Sequence, residues 1–266
     1  MKKLALVLLL FPIASAACNT TQYLVTYKID YQERKSILNR KSEYAVLYIN
    51  PEGSIYVDRK LETRLKIMRN NRADNSTQLS QVGLVKFKAI VQKNYQNSQN
   101  LIVQEYVMHQ YIGREEPAIA PSEWEISGDS TMLGYQIIGA TGTFFGRKWK
   151  AWFSPEVPVS DGPYKFSGLP GLIFRLESAD RHFILEISGI QRSYPEENSF
   201  KLPPFDRVSS TKFKERIMHI QDNPLDFMKG RVIFASIKVE GKEMTPEEFN
   251  LIARKEEEDF ITLEMY

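Results

Sequence analysis

The chain has 266 residues, of which 42% are hydrophobic and 12% aromatic, a composition that is typical of a globular protein and excludes a disordered one. Its 35 Lys and Arg nearly balance its 33 Asp and Glu, so no basic excess indicates a nucleic-acid partner. The single cysteine excludes a disulfide framework and a Cys-rich zinc site.

Residues 1–17 are predicted to be a signal peptide. Lys2 and Lys3 precede an apolar run, and Ala14-Ser15-Ala16 supplies the small residues of a cleavage site. The apolar run is too short to span a bilayer, and no later run is long enough. We therefore expect an exported protein, periplasmic or associated with the outer membrane, that is not transmembrane after signal cleavage.

The only cysteine, Cys18, lies at this predicted junction. Lipid attachment to such a cysteine usually requires an aliphatic residue three positions earlier, and Ser15 stands there. The sequence favours an incidental cysteine, and a lipoprotein anchored at Cys18 is the alternative. Residues 18–266 are predicted to form a single mainly β domain with a helical C-terminal part.

Alternation of apolar and polar residues dominates the chain between residues 22 and 190. Tyr23, Val25, Tyr27, Ile29 and Tyr31 would share one face of a first strand. Further strands are predicted at 44–49, 55–58, 85–91, 101–112, 135–145, 148–153, 172–177 and 182–187, with a hairpin at 50–54 and a polar loop at 70–80. The connections are short, so neighbouring strands are expected to be antiparallel.

Helices are predicted at 61–69, 210–221 and 246–257. The first has Leu61, Leu65 and Met68 at helical spacing, and the last begins with Thr245 as cap and Glu248 three residues later. The expected fold is mainly β (α+β): a strongly curved antiparallel sheet or open half-barrel with a few flanking helices.

Residues 160–173 combine three glycines and two prolines with large apolar side chains. Leu169 is predicted to be extended because it precedes Pro170, and Pro170-Gly171 suits the centre of a type II turn. One interpretation is a rigid corner that joins strand 148–153 to strand 172–177. Its structural motif would consist of Gly162, Pro163, Gly168, Leu169, Pro170 and Gly171.

The other interpretation is a recognition rim made of Tyr164, Phe166, Trp149 and Trp152. Trp149 and Trp152 are three positions apart, so they should point to opposite faces of a strand. At least one of the two is therefore expected in the core.

The same region resembles the GLPGLI family of exported bacterial proteins. The motif is Gly168-Leu169-Pro170-Gly171-Leu172-Ile173, and the upstream residues that match in order and approximate spacing are Trp124-Glu125-Ile126, Gly134-Tyr135, Ala140-Thr141, Phe145-Gly146-Arg147, Ala151-Trp152-Phe153, Pro155-Glu156, Pro158 and Gly162-Pro163. The resemblance implies a cell-envelope location and a mainly β protein, but no established activity. Many members carry a cysteine before the Ala140 position, where this chain has Ile137-Ile138-Gly139, so no thiol chemistry is carried over.

The sequence contains no recognisable catalytic constellation. His109, His182 and His219 are dispersed, and no nucleophile elbow or zinc-hydrolase spacing is present. Glu123 and Glu125 would share a strand face, where cross-strand ion pairing is commoner than acid–base catalysis. No catalytic residue, metal or cofactor is therefore predicted.

We expect a non-enzymatic binding or accessory module whose partner is an apolar small molecule, a lipid or an envelope protein. One alternative is a hydrolase of unrecognised type that uses dispersed Glu and His residues. The other is a purely structural subunit of an envelope complex, which would lack a ligand cavity.

Overall fold

The computed structural model describes residues 22–69, 75–97, 100–107, 110–193, 200–222, 237–239, 242–245, 248 and 263. The predicted signal peptide and Cys18 lie outside these residues, as do His109 and most of the predicted helix at 246–257. Thr245 and Glu248 at its predicted start are described, and they form the capping box: Thr245 N donates to Glu248 Oε2 at 2.9 Å, and Glu248 N donates to Thr245 Oγ1 at 3.2 Å. No helix in the described part of the chain is long and apolar enough to cross a bilayer.

A curved, open twelve-stranded sheet forms the body of the molecule. Its strands are β1 (Tyr23–Arg34), β2 (Ile37–Asn50), β3 (Gly53–Asp58), β4 (Ile90–Asn94), β5 (Asn100–Val107), β6 (Gln110–Pro117), β7 (Glu125–Met132), β8 (Tyr135–Phe144), β9 (Arg147–Ser154), β10 (Leu172–Ser178), β11 (Phe183–Arg192) and β12 (Phe205–Arg207). Their order is β12-β6-β5-β4-β3-β2-β1-β11-β10-β9-β8-β7. Every pair is antiparallel except β12 with β6, so the predicted fold class is confirmed.

Three helices and a small hairpin accompany the sheet. The helices are α1 (Arg59–Arg69), α2 (Asn75–Val82) and α3 (Ser210–Asp222), and the hairpin pairs β13 (Ile237–Val239) with β14 (Lys242–Met244). The predicted helices at 61–69 and 210–221 are confirmed. The predicted polar loop at 70–80 is wrong in its second half, where α2 forms. The sequence does not predict α2 because its apolar residues, Leu79 and Val82, are few and only partly buried.

Three strand predictions need correction. The strand expected at 85–91 occupies 90–94, and the single strand expected at 101–112 is the hairpin of β5 and β6. The alternation runs on through both stretches, and between β5 and β6 no Gly or Pro marks the turn. Strand β7 was not recognised as a full strand because nearly all its side chains are exposed, so it lacks a buried stripe.

The central strands are buried on both faces. On β2, Ala45, Leu47 and Ile49 belong to the main core on the concave face, whereas Val46 and Tyr48 belong to a second core on the opposite face. The second core also contains Leu61 and Leu65 of α1, together with Val57, Ile90 and Phe200. The sheet therefore needs cover on both sides, and different parts of the chain supply it.

Candidate functional site

The concave face of the sheet is filled by residues 155–171, the connection from β9 to β10, which we call the interior segment. Its Tyr164 ring lies 6.2 Å from the ring of Tyr56 on β3, and at its end the Tyr27 hydroxyl of β1 donates to Ile173 O at 2.7 Å. Burial raises the pKa of Tyr27 well above its usual range, which keeps this hydroxyl protonated as a donor. The interior segment thus crosses several strands and packs against the sheet from within.

A buried lysine binds the interior segment to β4. Lys93 Nζ donates to Asp161 Oδ1 at 2.6 Å, to Gly162 O at 2.8 Å and to Phe166 O at 2.9 Å. These three acceptors match the three protons of an ammonium group. Burial lowers the pKa of Lys93, and the attraction of the Asp161 carboxylate acts against that shift.

Asp161 has a second partner on the same side of the sheet. The Tyr95 hydroxyl donates to Asp161 Oδ2 at 2.5 Å. Burial and the Asp161 charge both raise the pKa of Tyr95, so the phenol remains a donor. Both carboxylate oxygens of this fully buried residue are therefore hydrogen-bonded, which is the condition under which a buried charge is tolerated.

A second ion pair joins the interior segment to β6. The Lys165 side chain, only 1% exposed, donates to the Glu116 carboxylate. Arg114 Nε also contacts Glu116, at 2.6 Å, and its guanidinium lies 3.7 Å from the Phe213 ring centre on α3. These contacts connect the segment, the sheet and α3 in one buried network.

Two prolines bend the interior segment through tight γ-turns. Gly171 N donates to Leu169 O at 2.8 Å around Pro170, and Val159 N donates to Val157 O at 2.7 Å around Pro158. The fixed φ of proline suits the centre of an inverse γ-turn. The type II turn predicted at Pro170-Gly171 is therefore wrong.

The glycines of the motif allow close contact between backbones. A Cβ on Gly171 would lie 2.2 Å from Ser154 O, and one on Gly168 would lie 2.7 Å from Ile119 O. Gly168 also has φ of 89°, in the left-handed region that favours glycine. The motif glycines therefore allow the interior segment to pack closely against its neighbours. The segment covers more of the sheet than the short corner that the sequence suggests.

The four residues of the predicted recognition rim do not share a surface. Trp149 is 2% exposed, and Tyr164 and Phe166 are also buried in the aromatic core. Trp152 lies on the opposite face, half-buried, with Lys150 Nζ 4.7 Å from its ring centre. The expectation that at least one tryptophan is in the core is confirmed. A binding role of the four residues stays a prediction, and Trp152 is the most exposed of them.

Trp149 and Trp152 both line a polar groove of about 860 Å³. Its charged and hydroxyl-bearing residues are Glu123, Glu125, Thr141, Thr143, Lys148, Lys150, Glu177, Ser178 and Arg181. Glu123 lies in a 3-10 turn, Pro121–Glu123, and its carboxylate accepts a hydrogen bond from Ala120 N at 2.6 Å. The expectation that Glu123 shares a strand face with Glu125 is therefore wrong. His109, which a hydrolase of dispersed Glu and His residues could use, lies outside the described residues.

The remaining histidines have ordinary surroundings. His182 Nδ1 lies 3.2 Å from the Asp180 carboxylate at the turn between β10 and β11, and His219 is an exposed residue of α3. Within the described residues, no group of three or more His, Cys, Asp and Glu side chains could hold a metal ion.

A second groove, which we call the helix groove, lies between α1, α2, residues 84–88 and the base of the β1–β2 hairpin. Its volume is about 810 Å³. The apolar side chains in its wall are Leu61, Leu65, Met68, Leu79, Leu84 and Val85, with Tyr31 and Tyr111. Met68 is 53% exposed and Leu84 is 89% exposed, so a large part of this apolar wall contacts solvent.

Cationic side chains outnumber carboxylates around the helix groove. The cations are Lys41, Lys60, Arg64, Lys86 and Lys88, and the carboxylates are Glu33 and Glu43. Glu33 contacts both Lys41 and, at 3.5 Å, Lys86, while Glu43 contacts Lys60 at 2.6 Å. Burial lowers the pKa of Lys86, and the Glu33 carboxylate acts against that shift. The neighbouring charges of Lys41 and Arg34 lower the pKa further.

Sequence reasoning missed both the Lys93–Asp161 pair and the helix groove. Lys93 follows Val91 at a spacing of two, so alternation alone places its side chain on the buried face. For the helix groove, the stripe of Leu61, Leu65 and Met68 was recognised, but only the structure shows that its Met68 end lacks full cover among the described residues.

Comparison with known proteins gives a family model of undefined function. The model, described as "Protein of unknown function (Porph_ging)", matches residues 64–175, a range that includes the whole interior segment with its Gly168-Leu169-Pro170-Gly171 motif. No curated protein matches the chain.

Solved structures resemble the fold at low identity. Two crystal forms of PNGF-II match with a TM-score of 0.53 and 13% identity, covering 74% and 82% of this chain. The chain spans about a third of the length of those proteins, 33% and 36%. A LolA superfamily protein, NE2245 from Nitrosomonas europaea, matches with a TM-score of 0.28 and 9% identity over 69% of this chain and 91% of that one. At such identities the PNGF-II likeness shows a shared fold and nothing more.

Proposed function

We propose that the chain is an exported, non-enzymatic binding module of the bacterial cell envelope that holds an amphiphile in the helix groove. The ligand would have an aliphatic tail and an acidic head group. One observation supports this most directly: an apolar wall that includes Met68 and Leu84 is open to solvent and surrounded by an excess of cations. The resemblance to GLPGLI proteins and the predicted signal peptide support the envelope address, periplasmic or at the outer membrane.

The size and lining of the helix groove suit a single acyl chain. Ligand sites usually measure roughly 300–1,000 Å³ and are mostly apolar with a few polar groups, and about 810 Å³ lies in that range. Each methylene removed from water would contribute about 0.8 kcal/mol. Leu65, Leu79 and Leu84 would supply the aliphatic contacts.

The charge around the helix groove favours an anionic head group. Five cations face two carboxylates, and Lys86 is half-buried, where its charge is poorly solvated. An anion beside Lys86 would add to the stabilisation that Glu33 already gives this charge and would raise its pKa. A neutral head group would offer no such gain.

The concave face is a poor alternative site, because the interior segment occupies it. Val157, Phe166 and Leu169 are all at most 1% exposed, and they pack against the strands that a ligand would have to reach. A ligand there would have to displace the segment and break the contacts of Lys93.

Titration with dodecanoate tests the proposal. Met68→Glu and Leu84→Glu place a charge on an exposed part of the apolar wall, so both should weaken dodecanoate binding about ten-fold or more while the fold persists. Ile126→Glu is the matched control, since Ile126 is 58% exposed on β7, outside the helix groove. Isothermal titration calorimetry measures the affinities, and circular dichroism checks the fold.

The head-group requirement has its own comparison. Dodecanol should bind at least about ten-fold more weakly than dodecanoate if the cations of the groove recognise the acid. Equal binding of acid and alcohol would contradict an anionic specificity. No binding of either compound, or equal loss in the Ile126→Glu control, would contradict the groove as the ligand site.

A further inference from the structure

The β1–β2 hairpin projects beyond its neighbours in the sheet. On one side β11 pairs with β1 only as far as Tyr31, and on the other side β3 pairs with β2 only from Ala45 onward. Gln32 N still donates to His182 O at 2.9 Å, and after Gln32 the described backbone pairing of β1 is with β2 alone, ending at Arg34 opposite Ile37. At about 3.3 Å per residue, the end of this ribbon lies roughly 10 Å past Tyr31.

The end of the ribbon, which we call the hairpin tip (residues 34–41), exposes two aliphatic side chains. Ile37 is 50% exposed and Leu38 is 85% exposed. Consecutive strand residues point to opposite faces, so the tip is apolar on both. Neither side chain contributes to the cores of the described chain.

Cations flank these two aliphatic residues on both strands. Arg34 and Lys35 precede the pair, and Arg40 and Lys41 follow it. Two carboxylates lie near these four cations: Glu33 contacts Lys41, and, against the effect of burial, the charge of Arg40 lowers the pKa of Asp30. Arg40 is held in place by hydrogen bonds to Arg181 O at 2.7 Å and Asp30 O at 2.9 Å. Lys35 lies in the turn, Arg34 pairs with Ile37, and Arg40 and Lys41 lie behind Leu38. The tip thus combines exposed aliphatic groups with cations, which suits the acyl chains and charged head groups of an anionic membrane surface.

We propose that the hairpin tip docks this protein on anionic lipid bilayers. Ile37 and Leu38 enter the acyl boundary, and the surrounding cations contact lipid phosphates. This docking goes beyond the proposed function, and it also suggests how an amphiphile could reach the helix groove. Lys41 belongs to both the hairpin tip and the helix groove, so docking would bring the groove near the lipids from which an amphiphile could come.

Sedimentation with lipid vesicles tests the docking. The chain without residues 1–17 is mixed with vesicles of phosphatidylcholine alone or with phosphatidylglycerol added, and the bound fraction is measured after centrifugation. Binding should require phosphatidylglycerol and fall steeply with added salt, because screening weakens the phosphate contacts. Leu38→Ser should reduce the partition coefficient roughly ten-fold, and Lys35→Glu about five-fold or more.

Two control variants separate the tip from general surface effects. Leu133→Ser changes another leucine, 64% exposed, at the turn between β7 and β8, and Lys148→Glu reverses an exposed cation on β9. Neither should alter sedimentation. Equal losses in the Leu133→Ser and Leu38→Ser variants would overturn the proposal, as would binding that ignores phosphatidylglycerol.

Failure of docking can be told apart from failure of the proposed function. Leu38→Ser should leave dodecanoate binding in solution unchanged, since Leu38 is not part of the helix groove. If the protein does not sediment with vesicles but binds dodecanoate, the docking proposal is wrong and the groove remains the ligand site. If a protein from envelope extracts binds only when Leu38 is present, and vesicles are not bound, the tip contacts a protein and the docking proposal is also wrong.

Discussion

The concave face and the helix groove are both large apolar surfaces, but in the described part of the chain only the concave face is covered by another segment. On the concave face the interior segment covers the apolar side chains, and the charges it brings are matched: Lys93 has three acceptors and Asp161 is bonded through both oxygens. In the helix groove the apolar wall reaches solvent at Met68 and Leu84.

The difference suggests where binding can occur without unfolding. A buried, fully paired network is costly to open, since every broken hydrogen bond leaves a buried group without a partner. A solvent-exposed apolar wall instead gains free energy when it is covered. Ligand binding is therefore expected on the side that the chain leaves uncovered, and rigidity on the side that it fills.

Replacing Lys93 should produce the largest effect on stability. Lys93→Met leaves Asp161 charged and buried without its cation, so we expect a loss of about 3–5 kcal/mol in the free energy of unfolding. Urea unfolding measures it, and Lys93→Met with Asp161→Asn should lose less than the single variant. Lys28→Met, in an exposed pair with Asp30 at 3.0 Å, is the control and should cost less than about 1 kcal/mol. A small loss in Lys93→Met would mean that the interior segment is not held through this pair.

Asp58 provides a pH-dependent test at the start of α1, one wall of the helix groove. Its Oδ1 accepts from Lys60 N at 2.8 Å and Leu61 N at 3.0 Å, and burial raises its pKa to about 6. The folded chain therefore holds this proton more tightly than the unfolded chain, so Asp58 lowers stability as the pH rises from about 4 to about 6. Asp58→Asn keeps an acceptor at the helix start but does not titrate.

Urea unfolding of both proteins across that pH range measures this contribution. The stability of Asp58→Asn relative to the wild type should increase by roughly 2–3 kcal/mol between pH 4 and pH 7, since each pKa unit corresponds to about 1.4 kcal/mol. A difference that does not change with pH would show that the carboxyl has an ordinary pKa.

Gly168 tests the fit of the interior segment with a smaller expected effect. Gly168→Ala combines a left-handed φ of 89° with a Cβ 2.7 Å from Ile119 O, so it should cost about 2 kcal/mol. Gly134→Ala shares the left-handed φ, 80°, but has open space, and should cost about 1 kcal/mol. Thermal unfolding compares the two, and equal losses would mean that the segment can yield at this contact.

The fold was largely predictable from the sequence because alternation and helical spacing depend on local residues. The alternation of Tyr23 to Tyr31 and the stripe of Leu61, Leu65 and Met68 both predicted the observed elements. Strand β7 was hidden because an exposed strand has no buried stripe to reveal it.

The sites were less predictable because they depend on distant residues. Lys93 and Asp161 are 68 positions apart, and only the curvature of the sheet brings them together. The aromatic residues Tyr164 and Phe166 suggested a rim because the sequence does not show which way a connection folds. The helix groove was missed for the same reason: its wall combines two helices with residues 84–88, and the sequence does not show how these parts pack together.

Photo-crosslinking with a diazirine-bearing dodecanoate tests the central claim, that the ligand binds in the helix groove while the concave face stays closed. The adducts are mapped by mass spectrometry after proteolysis. The account predicts labelling of peptides that contain Met68, Leu79 and Leu84, with competition by unmodified dodecanoate. Competed labelling of the interior segment, at Tyr164 or Phe166, would contradict it.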